Sequence, residues 1–217
     1  MKIQGMIFDF DGTLFDTMSI WETAGADYLK SIGYTAEKDL CQKLSAMSLL
    51  QSAEYLKKQY ALPISTEDII NGINKTIESF YFYSAMPKEN VTKYLSSLKS
   101  KGIKMCIATA TDRYLAEAAL KRCGMLGFFE DIFTCQEIGY GKDTPYIYEY
   151  ACNHLHIEKS AVVIFEDACH SVRAAKSADF FVVGIYDKYE SRTDEVREIA
   201  DRYYMNFAEI LKRGELF

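Results

Sequence analysis

The stretch Met6-Ile7-Phe8-Asp9-Phe10-Asp11-Gly12-Thr13-Leu14 constrains this chain more than any other. An apolar, strand-like run ends in two carboxylates two residues apart, followed by a turn glycine and a hydroxyl. Side chains at i and i+2 leave a strand on the same side. Two acids held together there repel one another unless a cation or a shared proton intervenes. Asp also serves in turns and helix caps, but the bare needs of folding do not call for this pair. A reaction that uses one carboxylate as nucleophile and the other as acid/base does call for it.

Short apolar runs recur along the chain at 4–8, 104–108, 132–134, 162–165 and 181–185, with a weaker one at 203–205. They are only partly alternating, as expected for parallel strands covered on both faces. Helical patterns separate most of them. In 91–101, Val91, Tyr94, Leu95 and Leu98 share one face and Gly102 stops the helix. The stretch 113–123 is closed by Gly124, and 145–155 and 171–177 are two more helical patterns. This alternation predicts an α/β fold, a doubly wound parallel sheet with right-handed crossovers. One interval breaks the pattern: from residue 15 to about 83 only helical spacing is seen, at 21–32, 40–59 and 67–82. That is too long for a crossover and long enough for a small domain. The expected division is therefore a core of residues 1–14 and 85–217 with an inserted helical domain of residues 15–84. The insertion leaves just after the acidic motif, so it is expected above the strand ends, where open α/β sheets bind ligands.

Composition narrows the function. With 217 residues, 49% of them hydrophobic, the chain can bury a core. A net charge of −6 disfavours nucleic acid as a partner. An anionic substrate would have to be attracted by local cations or a metal. The six cysteines form no C-x-x-C pair and read as reduced, small apolar side chains, which points to the cytoplasm. Neither a secretory signal nor a membrane span is read in the sequence.

Further polar groups stand at the strand ends: Thr109-Ala110-Thr111-Asp112 after the second, Gly141-Lys142-Asp143-Thr144-Pro145 beyond the third, and Glu166-Asp167 after the fourth. A parallel sheet gathers them at its carboxyl edge, beside Asp9 and Asp11. Singly, Thr109 is an ordinary strand residue and Lys142 an ordinary loop lysine. His170 reads as structural or surface rather than catalytic.

In this order, the motifs resemble the haloacid dehalogenase superfamily. The chain is most similar to the branch with a helical cap inserted after the first motif, which includes β-phosphoglucomutase and many small-molecule phosphatases. The resemblance implies a nucleophilic Asp9 that forms an aspartyl-phosphate. It implies Asp11 as the acid/base, Thr109 as a hydrogen-bond donor to the phosphoryl group, and Lys142 as the neutralising cation. Mg²⁺ would be held by Asp9, Asp167 and the backbone carbonyl of Asp11, with Glu166 as a further ligand or its supporting partner. All-oxygen ligands suit that ion. Asp16, Thr17, Ile20 and Trp21 follow the motif and are candidates to meet substrate. Ala110 stands where the family commonly has Asn or Ser, so one phosphate contact is missing there. By ungapped count, Trp21 and Leu49 replace a histidine and an arginine that serve mutase chemistry in β-phosphoglucomutase.

The implied activity is a Mg²⁺-dependent phosphatase acting on a small phosphorylated metabolite, as a monomer whose cap covers its own site. A sugar-phosphate mutase is the alternative. A dehalogenase gives Asp11 no clear role, and a non-catalytic binding protein has no need to retain Asp9, Asp11, Lys142 and Asp167.

Overall fold

The computed structural model describes residues 3–44 and 47–214. The chain divides into two compact units, Met1–Asp16 with Ala85–Phe217, and Thr17–Ser84. Strand β1 (Gly5–Phe8) opens the first unit. The chain then forms the second unit from α1 (Met18–Ser31), α2 (Leu40–Leu44), α3 (Leu49–Gln59) and α4 (Thr66–Tyr83). Back in the first unit come α5 (Val91–Ser100), β2 (Lys104–Thr109), α6 (Arg113–Arg122), β3 (Asp131–Thr134) and α7 (Cys135–Ile138). Then follow α8 (Tyr146–Leu155), β4 (Val162–Glu166), α9 (Cys169–Ser177), β5 (Phe181–Ile185), α10 (Thr193–Ile199), β6 (Arg202–Tyr204) and α11 (Phe207–Arg213).

The six strands form one parallel sheet in the order β3-β2-β1-β4-β5-β6. Strand alternation explains the uniformly apolar runs. On one face Phe8 stacks on Phe165 at 4.7 Å between ring centroids, with Tyr94 of α5 5.7 Å and Phe207 of α11 6.2 Å from Phe165. On the other face Ile7, Cys106 and Ile164 pack with Tyr148, Ala151 and Cys152 of α8 and Val172 of α9. Both faces are therefore dry, and neither permits polar alternation. All six cysteines are free thiols, and Cys106, Cys152 and Cys169 are buried.

The sequence predicts a doubly wound sheet, and the fold is one. Three details differ. The weak run at 203–205 is a true strand, shifted by one residue. The short helices α7, α10 and α11, of 4, 7 and 7 residues, escaped notice because they carry too few turns to show a period. The helix expected over 40–59 is instead two helices, with residues 45 and 46 outside the described part. The new start is chemical. Ser48 Oγ accepts from the Gln51 N–H at 3.2 Å, and Gln51 Oε1 accepts from the Ser48 N–H at 2.8 Å. That reciprocal cap satisfies two N-terminal amides and begins α3 at Leu49.

The helical unit has its own core of Ala24, Tyr28, Leu29, Ala53, Leu56, Ile69, Ile73, Ile77 and Tyr81, all nearly inaccessible. Gly72 on α4 lets Tyr28 of α1 approach: a Cβ there would lie 2.2 Å from the Tyr28 ring. Ser65 and Asp68 cap α4 as Ser48 and Gln51 cap α3. No helix among the described residues is long and apolar enough to cross a membrane.

Candidate active site

The strand order puts the site where it is. From β1 the chain adds β2 and then β3 on one side, and later β4, β5 and β6 on the other. Neighbouring β1 and β4 thus mark the point where winding reverses, and a crevice opens at their carboxyl ends. Phe8 is in register with Phe165, and the Asp9 N–H donates to the Phe165 carbonyl at 2.9 Å. Asp9 consequently lies beside Glu166 and Asp167. Thr109 ends β2 on the other side of β1.

Gly12 turns the chain away from β1. Its φ is +79°, and a Cβ there would lie 2.3 Å from Asp167 Oδ2, so no other residue fits without displacing that carboxylate. The turn also brings the next hydroxyl to bear: Thr13 Oγ1 donates to Asp167 Oδ1 at 2.8 Å. Within this unit the chain ends on either side of the helical insertion are tied together. The Asp16 N–H donates to the Met86 carbonyl at 3.0 Å, and the Lys88 N–H to the Leu14 carbonyl at 2.8 Å.

Lys142 arrives from the loop before α8 and is buried. Its Nζ donates to Asp9 Oδ1 at 2.5 Å and also pairs with Glu166 Oε1. The same Glu166 oxygen accepts from the Tyr148 hydroxyl at 2.7 Å. Burial by itself would lower the Lys142 pKa, but Asp9 and Glu166 reverse this and hold it well above its usual value. Burial pushes Asp9 up to about 7 against the pull of Lys142, with Glu166 and Asp11 adding to the rise. Burial, then Asp9 and Glu166, push Asp167 well above the carboxylate range.

One oxygen each from Asp9, Glu166 and Asp167 lies within 4.8 Å of the others, all three residues being buried. Glu166 Oε2 is buried with no hydrogen-bond partner among the described residues. Two of the three carboxylates, Asp9 and Glu166, share one ammonium, and an orphaned carboxylate oxygen waits in the cluster. A hard divalent cation with oxygen ligands answers both deficits.

Asp11 is less buried than Asp9 and accepts from the Thr111 hydroxyl at 2.5 Å. Thr109 is fully buried, and its Oγ1 accepts from the Thr111 N–H at 3.0 Å, leaving its own O–H to donate. Ala110 is exposed at the end of β2. Asp16 is exposed in the α/β unit. Thr17 and Trp21 belong to the helical unit: Thr17 is buried, and the Trp21 indole N–H donates to the Tyr81 hydroxyl at 2.9 Å. His170 is exposed. Sequence reasoning assigned no role to Thr13, Thr111 or Tyr148. Thr13 and Thr111 stood inside the motifs, so their positions were visible but their partners were not. Tyr148 looked like any apolar position of an amphipathic helix.

The chain is similar to several known proteins. The sequence pattern of the family described as haloacid dehalogenase-like hydrolase matches residues 6–185. A phosphorylated carbohydrates phosphatase of Thermotoga maritima is 29% identical over 178 residues, 81% of this chain and 82% of that protein. An (S)-2-haloacid dehalogenase of a Pseudomonas species is 26% identical over 168 residues, 72% of each chain. Among solved structures, CbbY from Rhodobacter sphaeroides in complex with phosphate shares the fold, with a TM-score of 0.85, 21% identity and 96% of each chain covered. The chain belongs to the haloacid dehalogenase-like hydrolase family.

Proposed function

We propose that this hydrolase is a Mg²⁺-dependent phosphatase that cleaves a small phosphorylated metabolite through a phosphoryl-Asp9 intermediate. The observation that carries the reading is the buried convergence of Asp9, Lys142, Glu166 and Asp167 from three separate segments of the chain.

In this reading an Asp9 carboxylate oxygen attacks phosphorus, and the bond to the leaving oxygen breaks as Asp11 gives that oxygen a proton. Asp11 then takes a proton from water as the water attacks the same phosphorus and the bond to Asp9 breaks. The Thr111 hydroxyl steadies Asp11 for both transfers. Thr109 donates to the transferring group, and Lys142 offsets its negative charge. Held by Asp9, Asp167, Glu166 and the Asp11 carbonyl, Mg²⁺ would supply charge that offsets repulsion between a phosphate dianion and these carboxylates.

Asp11 fits proton transfer to a leaving oxygen better than halide departure. Trp21 offers its N–H to Tyr81 rather than to a second phosphate, which supports transfer to water over transfer to a sugar phosphate. Substrate selection is assigned to the helical unit through Thr17 and Trp21, and Asp16 and Ala110 of the α/β unit are further positions assigned to meet substrate. A cytoplasmic monomer that binds no nucleic acid fits the net charge of −6 and the free thiols. The name of the Thermotoga maritima relative makes carbohydrate phosphates the first esters to try.

The test is phosphate release from a panel of phosphorylated metabolites with and without Mg²⁺. The panel includes β-glucose 1-phosphate with a trace of the 1,6-bisphosphate and a 2-haloacid. Metal-dependent release from one or a few esters is expected. Conversion of the 1-phosphate to the 6-phosphate without release, or halide release alone, would overturn the reading.

A further inference from the structure

Tyr148 lies on α8 with its whole side chain buried. Packing alone asks for a phenyl ring there, edge-on to Phe180 at 6.1 Å and among Ala151 and Cys152. The hydroxyl is what packing does not explain, because a buried hydroxyl costs stability unless it is bonded. It donates to Glu166 Oε1 at 2.7 Å. Lys142 reaches that same oxygen, and its Nζ lies 5.9 Å from the centre of the Tyr148 ring. Glu166 Oε1 therefore has two donors, while Oε2 is buried with none. One carboxylate oxygen is tied down and the other is left as the open acceptor, on a residue whose carboxylate belongs to the cluster with Asp9 and Asp167.

We propose that Tyr148 is a positioning residue: its hydroxyl fixes the Glu166 carboxylate so that Oε2 serves the metal, and through Glu166 it steadies Lys142 against Asp9. This rests on the metal-dependent reading above. Partners of metal-ligating groups commonly contribute ten- to a hundredfold in metal affinity, and Tyr148 would be such a partner, supplied from the hydrophobic layer beneath the sheet.

The test uses Tyr148→Phe, which removes the hydroxyl and keeps the ring, with Mn²⁺ as the probe and free Mn²⁺ counted by electron paramagnetic resonance. Wild type is expected to bind Mn²⁺, and Asp167→Asn to lose it. Tyr148→Phe should weaken binding by about tenfold and lower kcat on the active ester while leaving its KM unchanged. In a Glu166→Gln background the same substitution should change Mn²⁺ affinity by less than about twofold, since the two residues act as one unit. Wild-type affinity and kcat in Tyr148→Phe would overturn the role of Tyr148 alone. Failure of the wild type to bind Mn²⁺ would overturn the metal reading and this inference with it.

Discussion

Lys142 is the one ammonium hydrogen-bonded or ion-paired to the acidic cluster among the described residues, and its burial makes it a structural as well as a chemical group. Removing one member of a buried ion pair leaves the others uncompensated, at a cost of about 3–5 kcal/mol. Lys142→Met should therefore lower the urea-unfolding free energy of the metal-free protein by about that much. An unchanged midpoint would mean that Asp9 and Glu166 are not held by this charge. Gly12→Ala tests the turn. A left-handed conformation costs a non-glycine residue on the order of 1 kcal/mol, and the added Cβ must also displace Asp167. The variant should melt lower and bind Mg²⁺ more weakly, and retention of both properties would contradict the close approach. At this scale, Asp9, Glu166 and Asp167 stand out in the sequence because charged groups at the ends of apolar strands are costly without a purpose, whereas Lys142 is an ordinary loop lysine by itself and is marked only by the order of the motifs around it. The hydroxyls of Thr13, Thr111 and Tyr148 did not stand out, because a hydroxyl bonds to whatever tertiary structure brings near it.

Among the elements, the six strands were legible as apolar runs because helices cover both faces of the sheet. Strand order was not. Nothing in the residues of β4 says that it pairs with β1 rather than β3, yet that pairing sets Glu166 beside Asp9. The division of 40–59 was missed for the opposite reason: apolar spacing continues across a boundary set by one local cap. Replacing Ser48 with Ala removes the acceptor for the Gln51 amide and should destabilise the protein by about 1 kcal/mol, measured by thermal unfolding. The expected effect falls on stability, with phosphate release per folded molecule preserved. An unaltered melting temperature would show that α3 does not depend on this cap.

For the molecule as a whole, a net charge of −6 repels an anionic ester. Attraction must then come from the site itself, where Lys142 and the proposed cation would act among buried groups whose charge is poorly screened. Binding of Mg²⁺ to the folded state alone should stabilise the protein by about 2.7 kcal/mol at a hundred times its Kd. Chelation by EDTA should remove that gain, and Asp167→Asn should not show it. Equal melting temperatures of the wild type with Mg²⁺ and with EDTA would place the metal elsewhere or nowhere. The proposed covalent mechanism requires that Asp9 become phosphorylated. The direct measurement is an acid quench of Asp11→Asn after mixing with ³²P-labelled acetyl phosphate, followed by mapping of the labelled peptide. A hydroxylamine-labile label is expected on the peptide that carries Asp9, absent when Asp9 is also replaced by Asn. A label that survives the Asp9→Asn change, or turnover of the ester by Asp9→Asn at the wild-type rate, would contradict a phosphoryl-Asp9 intermediate.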